Sequence, residues 1–177
     1  MDFSRVTDFK NIQQLTNLLH RAYQADEKLQ IHFKAANITD EQVRQHIQTT
    51  PTFAIKSDDR IVATASVRLP WSTNPGPFDL PHLGWIATDP EFQHQGLAKK
   101  IIQFVIDDFV IQQLSAPAIS LGTAVEHPWL QAAYRSIGFK QVDTVRMFSD
   151  HQTVFMIKVL NDQAIKTVND TYLQSVI

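Results

Sequence analysis

The chain has 177 residues, of which 44% are hydrophobic and 19% charged, and its formal net charge is −2. This composition is typical of a folded globular protein, and the small net charge without a Lys/Arg block predicts no attraction for nucleic acid. No apolar run approaches the ~20 residues that span a bilayer, the N-terminus lacks a signal-peptide pattern, and the absence of cysteine excludes disulfides and zinc–thiolate sites. We therefore expect a cytoplasmic protein that binds neither nucleic acid nor a membrane.

The first half of the chain predicts a strand, two helices and a hairpin. In order, these are a strand at 4–7, a helix over about 9–24, a helix from 40 to about 47, and a hairpin of 52–55 with 60–69. Thr39 and Gln42 have the spacing of a capping box, which predicts the start of the second helix. Residues 70–81 contain four prolines and therefore form a loop.

The second half predicts a strand–helix–strand unit, a further helix and a closing hairpin. In order, these are a strand at 83–88, a helix from 97, a strand at 118–121, a helix over about 128–137, and a hairpin of 139–148 with 153–160. Gly122 and Thr123 are expected to begin an irregular turn. Because a helix connects the strands at 83–88 and 118–121, that pair should be parallel. The predicted fold class is therefore α/β with a mixed sheet.

The predicted organisation is a single domain, residues 1–160, followed by a C-terminal extension, residues 161–177. Ile165, Val168, Tyr172 and Val176 recur at helical spacing, so the extension is expected to be helical. Such a helix would pack either on the domain or on a second subunit, which leaves a homodimer open.

The segment 89–100 joins a buried strand to a buried helix through one tight turn. Asp89-Pro90 is a turn signal, and from Leu97 apolar residues recur every four positions. The first amides of a helix have no intrahelical partner, and the helix dipole makes this end slightly positive. Gly96 allows the backbone to approach a ligand closely, and Lys99 adds positive charge. The turn therefore predicts a site for phosphate oxygens.

The residues of the turn indicate which phosphate ligand to expect. Gly96 stands alone and is followed by Leu97, so the three-glycine dinucleotide fingerprint and the Gly-Lys-Ser/Thr loop are both absent. The sequence Gln93-x-x-Gly96-x-Ala98 resembles the (Arg/Gln)-x-x-Gly-x-(Gly/Ala) signature of the GNAT-type N-acetyltransferase superfamily. This resemblance implies that the backbone amides cradle the pyrophosphate of acetyl-coenzyme A. The alternative is an ordinary turn that matches by chance.

A second segment, residues 127–139, is similar to the family's Asn-x-x-Ala-x-x-x-Tyr-x-x-x-Gly-Phe pattern. Tyr134 and Gly138-Phe139 match, whereas His127 occupies the Asn position and Leu130 the Ala position. Pro128 and Gly138 suit the two ends of a helix, whose buried side is expected to hold Trp129, Leu130, Ala133 and Ile137. The resemblance, which covers about residues 51–160, implies that Tyr134 protonates the departing sulfur. The alternative for Tyr134 is a half-buried core residue.

The resemblance also implies a fold and a set of cofactor-binding residues. The fold has a mostly antiparallel central sheet, helices on both faces, and one parallel strand pair around the cofactor. The implied cofactor-binding residues are Ile86, Ala87, Thr88, Gln93, His94, Gln95, Gly96, Leu97, Ala98, Lys99 and His127. No metal is expected, because the histidines lack the paired spacing with a carboxylate that a zinc site requires.

The base that deprotonates the acceptor amine is not obvious. The strand at 83–88 contains neither Glu nor His, so His82, directly before it, is the first candidate; an exposed loop histidine is the alternative. Glu126, Asp79 or a water chain are further candidates. Trp71 and Trp85 are considered as walls of an acceptor pocket, with a core role as the alternative for Trp85.

Together these features predict an acyltransferase that moves an acetyl group from acetyl-coenzyme A to a primary amine of a small molecule or peptide. Direct attack within a ternary complex is expected. One alternative is a catalytically silent coenzyme A-binding or sensor domain of the same fold. A redox or nucleotide enzyme is disfavoured by the missing glycines. The acceptor amine is left open.

Overall fold

A computed structural model describes residues 1–27, 31, 33–147 and 149–177. Phe148, the end of a predicted strand, lies outside the described residues. The α-helices are α1 Ile12–Glu27, α2 Asp40–Thr49, α3 Leu97–Phe104, α4 Pro128–Arg135 and α5 Thr171–Val176. The strands are β1 Asp2–Arg5, β2 Thr52–Ser57, β3 Arg60–Arg68, β4 His82–Thr88, β5 Ala118–Ala124, β6 Lys140–Val145 and β7 Thr153–Val159.

The seven strands found in the described residues follow the order β1-β2-β3-β4-β5-β7-β6. β4 pairs with β5 in parallel at His82↔Ser120 and Leu83↔Leu121. The pairs β1/β2, β2/β3, β5/β7 and β6/β7 are antiparallel. The predicted mixed α/β sheet and its parallel pair are confirmed.

The chain divides into two compact units, of which the first comprises Met1–Val67 and Trp85–Val105. Its core is formed by the inner face of α1 together with buried residues of α2, β2, β3 and β4. These include Leu15, Leu18, Leu19, Val43, Ala54, Ile61 and Ala87. The predicted capping box is present, since Gln42 N donates to Thr39 Oγ1 (3.2 Å) and Thr39 N donates to Gln42 Oε1 (2.9 Å).

The second unit comprises Arg68–Gly84 and Ile106–Ile177. Its core contains Phe78, Leu80, Ala118, Phe155, Ile157, Ile165 and Leu173. The C-terminal tail thus packs within this unit: Tyr172 stacks on Phe78 with ring centroids 5.0 Å apart, and its hydroxyl donates to Asp143. Asp170 caps α5 by accepting from Leu173 N and also accepts from Asp79 N at 2.7 Å.

Several predicted elements differ from the structure. The first strand, expected at 4–7, spans Asp2–Arg5. Gly122 and Thr123, expected in an irregular turn, belong to β5, because the antiparallel partner β7 continues opposite them. The helix beginning at Leu97 stays α-helical only to Phe104 and then widens into a π-helix, Val105–Ile111.

The predicted buried face of α4 is also wrong. Trp129 is 56% exposed, whereas Gln131 and Tyr134 are buried. Gln131 is drawn inward because its amide donates to the carbonyls of Ala124 (3.3 Å) and Val125 (3.2 Å). A buried polar side chain needs hydrogen-bond partners, and these two carbonyls supply them to Gln131.

Candidate active site

The strand that precedes the phosphate turn is irregular near its middle. Trp85 in β4 has φ 46°, in the left-handed region that side chains other than glycine rarely adopt. Its indole stacks on His46, with ring centroids 3.5 Å apart, and packs against the core of the first unit. Strained backbone of this kind requires support from its surroundings, and these two contacts supply it.

A buried carboxylate fixes the start of the turn. The side chain of Asp89 is fully buried and accepts hydrogen bonds from Arg21 (2.6 Å), Arg60 (2.7 Å) and the Glu91 amide (3.1 Å). Burial alone would raise the pKa of Asp89, but the hydrogen bonds from the two arginines hold it below its usual value. Asp89 N also donates to Val62 O (2.9 Å). These contacts therefore fix the position of Asp89, where the chain passes from β4 into the turn.

The turn itself presents open backbone. Residues 93–96 are exposed, and His94 and Gly96 have φ of 61° and 73°. Gly96 is the N-cap of α3, no side chain caps the helix there, and a Cβ at Gly96 would meet no atom within 4 Å. The amides of Leu97, Ala98 and Lys99 have no intrahelical acceptor by helix geometry.

The direction of these amides is fixed because α3 is anchored. Leu97, Ile101 and Ile102 are buried in its first two turns. An uncapped helix end with a left-handed glycine and open space beside it fits a phosphate group.

Tyr134 lies in the second unit on the buried face of α4. Its ring packs edge-to-face on Phe139 with centroids 6.3 Å apart, and its carbonyl accepts from Phe139 N (3.1 Å). Gly138, at φ 95°, ends the helix as expected, and its left-handed conformation brings the amide of Phe139 back to the carbonyl of Tyr134. Burial raises the pKa of Tyr134 well above its ordinary value, so the hydroxyl keeps its proton across the physiological range.

His127 begins the same helix. Its ring is buried and lies 5.1 Å from that of Trp129, and its carbonyl accepts from the amides of Leu130 and Gln131. His127 therefore takes the place of the family Asn as the residue directly before α4. A role in binding the cofactor stays a prediction.

His82 is the first residue of β4 and is buried, so the alternative of an exposed loop histidine is wrong. Its Nδ1 lies 2.9 Å from Ser120 Oγ, and that hydroxyl donates to Pro81 O (3.3 Å). A hydroxyl that donates to Pro81 accepts from Nδ1–H, which leaves the lone pair on Nε2. Burial, with a contribution from Arg68, lowers the pKa of His82 to about 3. A histidine free in water titrates near pH ~6.5, so the buried His82 is a much weaker base than an exposed histidine.

The predicted site residues divide between the two units. The strand residues Ile86, Ala87 and Thr88 and the turn residues 93–99 belong to the first, and Tyr134, His127 and His82 belong to the second. The further base candidates Glu126 and Asp79 are exposed.

Of the predicted pocket walls, Trp71 is 70% exposed, while Trp85 is partly buried against the core.

The sequence analysis did not identify Arg21, Arg60 and Ser120. Each of them contacts a partner at least 29 residues away in the chain, so no local pattern indicates the contact. Within the described part of the chain there is no cluster of three metal-ligating side chains. No helix there is long and apolar enough to cross a membrane.

Comparisons with known proteins identify the family. Residues 12–139 match the model of the acetyltransferase (GNAT) family. S-(2-succino)cysteine N-acetyltransferase of Bacillus subtilis is 35% identical over 85% of this chain and 92% of its own length. S-alkylcysteine N-acetyltransferase of the same organism is 29% identical over 78% of this chain and 79% of its own.

Solved structures agree on the fold. The ribosomal-protein-S18-alanine N-acetyltransferase of Escherichia coli has a TM-score of 0.69 at 17% identity, covering 90% of this chain and 94% of that one. A GNAT acetyltransferase of Elizabethkingia anophelis with acetyl-CoA bound has a TM-score of 0.66 at 16% identity, covering 90% and 97%. Nothing among these relatives favours the catalytically silent alternative. The chain belongs to the GNAT family, whose members use acetyl-CoA, and it is an N-acetyltransferase that acts on an amine.

Proposed function

We propose that this enzyme acetylates the α-amino group of an S-substituted cysteine. The names of the two Bacillus subtilis relatives specify S-(2-succino)cysteine and S-alkylcysteine, respectively. Both compounds are cysteines whose sulfur is blocked and whose amine is free. That shared acceptor chemistry, in relatives that align with most of this chain, is the observation that carries the proposal.

We infer that the turn at 93–98 holds the pyrophosphate of acetyl-CoA. The support is the uncapped start of α3 at Gly96, with the amides of Leu97, Ala98 and Lys99 at a positive helix end. The exposed Lys99 adds positive charge. The backbone of residues 86–88 in β4 is proposed to bind the arm that carries the acetyl group. When bound, acetyl-CoA supplies the thioester whose acetyl group is transferred.

The weak base at His82 is compatible with an α-amino acceptor. α-Amino groups titrate roughly two pH units below a lysine amine, so a larger fraction is neutral near pH 8 without a strong base in the protein. His82 stays the predicted proton acceptor, through the lone pair on Nε2. With a pKa of about 3 it would pass the proton on to water rather than retain it.

Tyr134 is proposed to act on the thiol side of the reaction. A thiol has a pKa of ~8.5, and burial holds the pKa of Tyr134 well above 10. Complete proton transfer from the hydroxyl to the departing sulfur is therefore unfavourable. A hydrogen bond donated by the hydroxyl to the developing thiolate is the step that this environment supports.

The direct test is a steady-state assay of acceptors at fixed acetyl-CoA, with release of the coenzyme A thiol followed by a chromogenic disulfide. The assay is free of protein background because the chain has no cysteine, and S-substituted cysteines carry no thiol of their own. We expect S-methylcysteine or S-(2-succino)cysteine to give the highest kcat/KM among amino acids, spermidine and a peptide N-terminus.

N-acetyl-S-methylcysteine is the matched control. It differs from S-methylcysteine only in its blocked amine, so the enzyme should release no coenzyme A thiol in its presence. A preference for spermidine or for the peptide over every S-substituted cysteine would overturn the proposed acceptor class.

A further inference from the structure

We propose that the guanidinium of Arg68 binds the α-carboxylate of the acceptor amino acid. The proposal rests on the acceptor class proposed above and assigns the residue that recognises it. Arg68 is the last residue of β3 and belongs to the second unit, and His82 is the first residue of the neighbouring strand β4. It is the residue from which the proline-rich loop departs.

Arg68 is partly buried and has no anionic partner among the described residues. In the part of the chain that the structure describes, it forms no ion pair with a carboxylate. Its hydrogen bond to Asn74 Oδ1, at 3.4 Å, is long and goes to a neutral group. A guanidinium has five N–H donors, so most of its capacity is available to a ligand.

The contrast with other arginines of this chain is clear. Arg21 and Arg60 both donate to the buried carboxylate of Asp89, and Arg44 pairs with Glu41. Burial lowers the pKa of Arg68, and among the residues that the structure describes no acid compensates for it. A partly desolvated cation without a counter-charge is unfavourable in the free protein. Binding of an anion would remove this cost. An arginine that binds a ligand therefore differs from one, such as Arg60, whose charge is already paired within the protein.

The imidazole of His82, on the neighbouring strand, does not oppose an anion. His82 is neutral, because burial and Arg68 lower its pKa to about 3, and Ser120 holds its Nδ1 side. Gly76 packs against the same ring so closely that a Cβ there would lie 2.5 Å from His82 Cβ. The ring and the loop above it are therefore fixed in position.

The loop that follows Arg68 is fastened by the C-terminal tail. Phe78 stacks on Tyr172, and the amide of Asp79 donates to Asp170. The second half of this loop, at residues 78–79, is thus held by the core of the second unit rather than ordered on binding. Such preorganisation reduces the entropy lost when a small ligand binds.

The proposed acceptors share one anionic group that a guanidinium recognises. An S-alkylcysteine carries only its α-carboxylate, whereas S-(2-succino)cysteine has two further carboxylates on the sulfur substituent. A single anchor common to both must therefore bind the α-carboxylate. Arginine binds a carboxylate through two parallel hydrogen bonds, which also orients the neighbouring amine.

The test compares two acceptors in two proteins. S-methylcysteine and 2-(methylthio)ethylamine differ by the carboxylate alone, and Arg68→Gln removes the charge while keeping a polar side chain. We expect kcat/KM for S-methylcysteine to fall about 10- to 100-fold, the range of a charge-assisted bidentate pair. The value for 2-(methylthio)ethylamine and the KM for acetyl-CoA should change less than about threefold. The kcat/KM of Arg68→Lys for S-methylcysteine should lie between those of the parent and Arg68→Gln, because lysine keeps the positive charge but cannot donate two parallel hydrogen bonds.

Arg146→Gln is the matched control, because Arg146 is an exposed arginine of the same unit. It should leave both acceptors unaffected. Calorimetric binding of N-acetyl-S-methylcysteine gives a readout independent of turnover, and this product should bind the parent and lose affinity in Arg68→Gln.

Each other outcome has a distinct meaning. An equal loss on both acceptors, or none, overturns the role of Arg68 while leaving the proposed acceptor class standing. A loss confined to the KM for acetyl-CoA would mean that Arg68 binds a cofactor phosphate, and would overturn the proposal too. A parent protein that prefers amines without a carboxylate refutes both this inference and the proposed function.

Discussion

Substitution of Gly96 separates the stability of the phosphate turn from its ligand binding. Gly96 has φ 73°, and a Cβ there would contact nothing within 4 Å. Any side chain therefore adds backbone strain of about 1 kcal/mol without a steric clash in the free protein. For a chain of this size, that lowers Tm by roughly 2–4 °C.

The matched pair Gly96→Asn and Gly96→Asp isolates charge, because the two side chains have nearly the same shape. Without ligand, the unfolding free energy of Gly96→Asp should exceed that of Gly96→Asn by about 0.3–1 kcal/mol, because an anion at a helix N-terminus interacts favourably with the helix dipole. Toward acetyl-CoA the order should reverse. A carboxylate about 5 Å from a phosphate costs roughly 1–3 kcal/mol, or about 5- to 150-fold in Kd.

Thermal unfolding with and without acetyl-CoA measures both quantities. At a ligand concentration of a hundred Kd, the parent should gain about 2.7 kcal/mol, or roughly 5–10 °C. At the same ligand concentration, Gly96→Asn should keep most of that shift, whereas the 5- to 150-fold weaker binding of Gly96→Asp should reduce the gain to between about 0.3 and about 1.8 kcal/mol. A full shift in Gly96→Asp would refute the placement of the pyrophosphate at this turn.

Three further substitutions test individual side chains. Tyr134→Phe keeps the ring, so the Tm shift with acetyl-CoA should persist while kcat falls ~10-fold or more; an unchanged kcat would leave Tyr134 a packing residue. The pKa of His82 is about 3 in the folded protein and 6.5 as the reference for the unfolded chain, so folding disfavours its protonated form. The parent should therefore lose stability as pH falls below 6.5, by at most about 1.4 kcal/mol per unit, and urea unfolding of His82→Gln should show a flatter dependence; equal slopes would contradict this. Asp89→Asn leaves two arginines without their carboxylate and should lower the unfolding free energy by about 2–4 kcal/mol, whereas a loss below about 1 kcal/mol would contradict the anchor.

The features predicted correctly from sequence are those encoded by residues close together in the chain. The capping box needs only Thr39 and Gln42, three residues apart, and the helix start at Leu97 follows from the apolar residues that recur every four positions from there. The parallel pairing of β4 with β5 follows from the helix that connects them. Each of these signals is local or a rule of connection.

The features that were missed depend on partners distant in the chain. Asp89 reads as an ordinary turn residue, but its arginines come from α1 and β3. The sequence leaves open whether His82 is a base or an exposed loop histidine, but in the structure it is buried and its Nδ1 contacts Ser120. Such contacts change the chemistry of a side chain without leaving a signal next to it. The acceptor likewise had no local motif, and its proposed anchor Arg68 is defined by what surrounds it.

The most direct test of the proposed function is a competition in which limiting acetyl-CoA meets an equimolar mixture of amines. The mixture contains S-methylcysteine, S-(2-succino)cysteine, lysine, spermidine and a short peptide, and mass spectrometry reads which of them is acetylated. We predict that the acetyl group is found almost entirely on the α-amino group of an S-substituted cysteine. Acetylation chiefly of spermidine, lysine or the peptide would contradict it.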